Sequence, residues 1–62
     1  MLNLTIMETA ELLCACDLAI QRETELINKY ADIMPWRAEY HTHSLHNLLS
    51  AREKIYQEAK GN

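Results

Sequence analysis

The sequence predicts an all-α protein: an antiparallel helical hairpin, about 6–33 and 36–60, that pairs with a second copy into a four-helix bundle. Three observations predict it. The only proline, Pro35, stands near the midpoint of 62 residues. It bars Met34 from the right-handed helical region and offers no amide to the carbonyl of Ala31, so a helix arriving there must stop or bend. On both sides of it apolar residues recur at three- and four-residue spacing, the signature of helices with one buried face. The composition, 48% hydrophobic and 24% charged with a single glycine, is neither disordered nor collagen-like. Residues 1–62 read as a single domain, yet two helices of this size bury too little apolar surface to offset chain entropy. A second copy is therefore expected to complete the core.

The first helix is expected to start at Ile6, because Thr5-Ile6-Met7-Glu8 matches the capping box in which Thr5 and Glu8 satisfy each other's backbone amides. From there Ile6, Leu13, Ile20, Ile27 and Met34 recur every seven residues. Thr9, Cys16, Glu23 and Tyr30 complete the seam. A second line, Leu12, Ala15, Ala19, Leu26 and Ile33, widens the apolar sector to about half the circumference, enough for two neighbours. The second helix is expected from Trp36 to Lys60, with Asp32 capping its entry and Gly61 marking its end. Its facing stripe is Ala38, His41, Leu45, Leu48, Leu49, Arg52, Ile55, Tyr56 and Ala59. A turn near residues 34 and 35 pairs levels so that Ile20 meets Leu49, Leu13 meets Tyr56, Asp17 meets Arg52 and Glu23 lies near His46.

The formal net charge of -3 disfavours generic phosphate binding, so nucleic acid is not the expected partner. The charge is uneven. Residues 1–33 carry six acids and two bases, whereas residues 34–62 carry three acids and four bases. Cys14 and Cys16 lie about 200° apart around a helix and cannot bridge each other, which points to a reduced, cytoplasmic setting. The apolar residues near the amino terminus follow no basic segment, and the run from Leu12 to Cys16 is too short to span a bilayer. Neither secretion nor membrane insertion is expected.

No catalytic motif, cofactor site or enzyme activity is expected, since paired carboxylates need a cleft that a two-helix unit does not provide. Glu39, His43 and His46 share one helical face at chelating spacing, but three ligands on a solvated face do not close a structural zinc site. That face reads as polar surface, with metal binding as the minor alternative. Glu23 and Arg52 are charges within apolar stripes, so a buried ion pair among Asp17, Glu23 and Arg52 is expected to fix register. Histidine 41, also in the stripe, reads as half-buried with a hydrogen-bond partner. Leu18, Trp36 and Tyr40 are the large side chains that the stripes leave uncovered, and they are the expected contacts with another protein.

In size and layout the chain resembles the plasmid copy-number regulator Rop, which implies a hairpin dimer and, as the alternative function, RNA binding. No RNA-binding residue carries over. The string from Leu4-Thr5-Ile6-Met7-Glu8-Thr9-Ala10-Glu11 through Met34-Pro35-Trp36-Arg37 to Ser50-Ala51-Arg52-Glu53-Lys54 resembles the small accessory proteins of the early exo to xis region of lambdoid phages. That resemblance implies a non-enzymatic early regulator, acting as a homodimer on a host protein in the infected bacterial cytoplasm.

Overall fold

The computed structural model describes residues 3–61. Among them the chain is all-helical: α1 spans Ile6–Tyr30, α2 spans Pro35–Gly61, and the two pack as an antiparallel hairpin. The unit is a rod of 44 × 17 × 12 Å.

Thr5 caps α1 as its sequence dictates. Its hydroxyl accepts the Glu8 amide at 3.0 Å, and the Glu8 carboxylate accepts the Thr5 amide at 2.9 Å. The hydrogen bond accepted from the Thr5 backbone, followed by one from the Thr5 side chain, holds the Glu8 carboxyl below its ordinary value of 4.5. A depressed carboxylate contributes stability that is fully present above its ordinary value and is lost as pH falls through the lower, folded-state one. Acidification below about pH 4.5 is therefore expected to loosen the α1 start first, read as early amide exchange near Glu8. Thr5→Ala is expected to cost about 1 kcal/mol at neutral pH in a thermal melt.

α1 ends at Tyr30, three residues short of the expected 33. Met34 cannot be helical before proline, so the chain uses Ala31, Asp32 and Ile33 as a turn that closes with the Met34 amide on the Tyr30 carbonyl at 2.8 Å. Pro35 is itself the first residue of α2, where its missing amide costs nothing. Asp32 is not the cap. The Met34 carbonyl takes that place, accepting the Arg37 and Ala38 amides at 2.9 and 3.1 Å. The helix also runs through Gly61 instead of stopping before it.

The seam is formed by Leu13, Cys16, Ile20, Ile27 and Tyr30 of α1 against Leu45, Leu48, Arg52 and Ile55 of α2, all half-buried. Only Ala38 and His41 are buried among the described residues. Ile6, expected in this seam, is 90% exposed. The level pairing that joins Asp17 to Arg52 sets Ile6 past Gly61, the last residue of α2, so no α2 side chain covers it. Leu12, Leu49 and Tyr56, also assigned to the core, remain exposed on the single hairpin, as do Ala15 and Ile33, whereas Ala19 and Leu26 are half-buried. The chain exposes 4990 Å². A compact monomer of its mass, 7.2 kDa, exposes about 4100 Å².

Candidate functional site

Among the described residues, two polar side-chain contacts cross the seam. Arg52 Nε donates to Asp17 Oδ1 at 2.6 Å. The level pairing expected from the turn thus brings these two together, but their side chains are 37% and 57% exposed, so the pair is not buried. Helical geometry explains this: Asp17 lies about 60° round from Ile20 at ~100° per residue, on the rim of the seam. The hydrogen bond that Arg52 donates to Asp17, together with the Asp17 charge, pushes the Arg52 pKa further up, so the cation persists at any working pH. An exposed pair of this kind contributes little to stability, because water and salt screen it. Arg52→Ala is expected to lower the melting temperature by a few degrees, and Arg52→Met, which keeps the apolar stem, by less.

The second contact is more deeply placed. His41 Nδ1 lies 2.6 Å from Glu23 Oε2, and Glu23 is not part of the Asp17–Arg52 pair. Its partner is thus His41 and not His46, which is exposed. His41 and His46 are five residues apart and so about 140° apart around α2, and only His41 can face α1. Because a carboxylate only accepts, Nδ1 carries the proton. The His41 side chain is 11% exposed, its ring stacked on Tyr30 at 6.0 Å and met edge-on by Tyr40 at 5.3 Å. Its Nε2 is buried with no hydrogen-bond partner.

Tyr30 links this contact to the turn. The Arg37 guanidinium stands over its ring at 4.5 Å and the Lys29 ammonium at 5.4 Å. Beyond them Trp36 and Tyr40 are 70% and 65% exposed, with Ile33 beside them in the turn. The turn end is therefore an apolar and aromatic surface set among fixed cations. The spacing of Trp36 and Tyr40 marked this patch, but the cation stacking on Tyr30 was not read from the sequence. Lys29-Tyr30 and Arg37, on opposite sides of the proline turn, were the available signal. Leu18 is also exposed but sits in mid-α1, apart from that patch in sequence and along the rod.

Glu39, His43 and His46 are all exposed, and no group of three or more His, Cys, Asp or Glu residues able to hold a metal occurs among the described residues. Cys14 and Cys16 are free thiols. An open apolar groove between Leu4, Met7, Glu8, Glu11 and Leu12 runs along α1 at the open end of the hairpin. A second, between Leu4, Ile6, Thr9, Ala10, Leu13 and Ala59, lies across that end. No helix among the described residues is long and apolar enough to cross a membrane. Comparison with protein families, curated proteins and solved structures gives no significant match.

Proposed function

We propose that this chain is a non-enzymatic regulatory protein that works as a homodimeric four-helix bundle and engages another protein through its turn end. The observation that carries this reading is the exposure of Trp36 and Tyr40 side by side on a helical rod whose described residues bring no catalytic constellation together. Large aromatics held on a rigid scaffold are the residue types that anchor protein interfaces. The dimer is supported by the wide apolar sector of α1 and by the hairpin's excess surface of roughly 900 Å², close to one partner's share of a standard interface. A two-fold dimer would present two turn ends, so a symmetric partner would gain avidity. The reduced cysteines fit a bacterial cytoplasm, and the likeness to lambdoid phage accessory proteins supplies the setting: an early protein acting on a host protein.

The test is capture from a bacterial lysate with wild type and with a Trp36→Ala, Tyr40→Ala double variant first shown to remain folded. Loss of at least tenfold of the captured partner is expected, since two such anchors are worth about 2 kcal/mol or more each. Equal capture by both proteins would overturn the turn end as the site. Recovery of RNA as the main bound species would replace the reading with the Rop-like one.

A further inference from the structure

Resting on the dimer reading above, we infer that the second copy seats on one face of the hairpin, with its turn over the open end of the first. The face follows from helical geometry. At ~100° per residue, Leu12, Ala15, Ala19 and Leu26 fall within about 60° of one another on one flank of the α1 seam. Ser44, Leu48, Ala51 and Ile55 occupy the flank of the α2 seam reached by turning the same way. Because the helices are antiparallel, those two flanks lie on the same side of the hairpin. The side chains there grade from half-buried (Ala19, Leu26, Ser44, Leu48, Ile55) to exposed (Leu12, Ala15, Ala51), the profile of a surface half covered by its own chain. On the other side the α1 flank is polar, carrying Asp17, Thr24 and Asn28, while the α2 flank carries the exposed Leu49 and Tyr56, so it is α1 that sets the two sides apart.

Charge decides the direction. Around this face the open end carries Glu8, Glu11 and Glu58, while the turn end carries Lys29 and Arg37. Two copies with turns at the same end would set like charges opposite each other. Reversing one copy sets opposite charges together, and the apolar residues then also match. With the two-fold axis near Ala19, Leu12 falls opposite the partner's Leu26. The groove of Leu4, Met7 and Leu12, rimmed by Glu8 and Glu11, falls opposite the partner's Ile33, which is flanked by Lys29. Small residues at the centre, Ala15 and Ala19, let the two α1 backbones approach closely.

In a Cys14→Ser, Cys16→Ala background, an Ala19→Cys chain is expected to form a disulfide-linked dimer with oxidised glutathione. Leu12→Cys and Leu26→Cys are each expected to cross-link poorly alone and well when mixed. A second measurement avoids the interface: spin labels on Ala31→Cys, in the exposed turn, are expected about 36 Å apart along the axis in the reversed dimer. Labels on turns at the same end would lie within about 20 Å, the width of two helices. A dimer by sedimentation with short Ala31 distances and no Ala19 cross-link would overturn this arrangement and leave the dimer standing. A folded monomer would overturn both.

Discussion

Ala19→Arg is expected to turn the dimer into largely unfolded monomers, the largest effect of any single substitution considered for this chain. Ala19 is half-buried at the middle of the α1 flank, so the new guanidinium would enter an apolar interface with no carboxylate arranged to receive it. Such a charge costs several kcal/mol. The separated hairpin has little to fall back on, because its only buried described residues are Ala38 and His41. Helices of this length owe most of their stability to tertiary packing. Circular dichroism and sedimentation at micromolar concentration measure the outcome. Gln21→Arg, on the exposed face and therefore expected to behave as wild type, is the control. An Ala19→Arg protein that stays helical and dimeric would place the interface elsewhere.

Glu23→Ala is expected to destabilise the fold by about 1–3 kcal/mol, because it leaves the buried His41 ring with neither nitrogen partnered. For a chain of this size that is a fall in melting temperature of roughly 4 to 24 °C. The cost arises from stranding one partner, which separates it from any worth of the pair itself. The Glu23→Leu, His41→Leu double variant removes both polar groups from an apolar, aromatic surrounding. It is expected to melt within a few degrees of wild type, or above it. Matching losses in the single and double variants would mean that the contact, and not the stranded imidazole, carries the energy.

Which features the sequence makes legible depends on how local their causes are. The Thr5–Glu8 capping box and the break at Pro35 involve neighbours in the chain, and their geometry follows from residue type alone. The Asp17–Arg52 contact follows from the position of the turn, since both side chains are long enough to meet wherever their levels match. Glu23 with His41 needed more than a level. His46 sits nearer the level expected for Glu23 but points away from α1, so the angle around α2 decides the partner. Ile6 failed for a different reason: the seven-residue repeat continues past the level at which α2 ends, so no facing helix covers it and it is 90% exposed. At the turn end, the exposure of Trp36 and Tyr40 was legible from their absence from both stripes. The stacking of Lys29 and Arg37 on Tyr30 was not, because it joins side chains across a turn whose path sequence spacing does not fix.

The account stands on the hairpin being half of a bundle, and sedimentation equilibrium of the wild-type chain across micromolar concentrations tests that most directly. The expected result is a mass twice the chain's 7.2 kDa, with a melting temperature that rises with concentration as dimer formation is driven by mass action. A fully helical species at the single-chain mass, melting at the same temperature at every concentration, would contradict it.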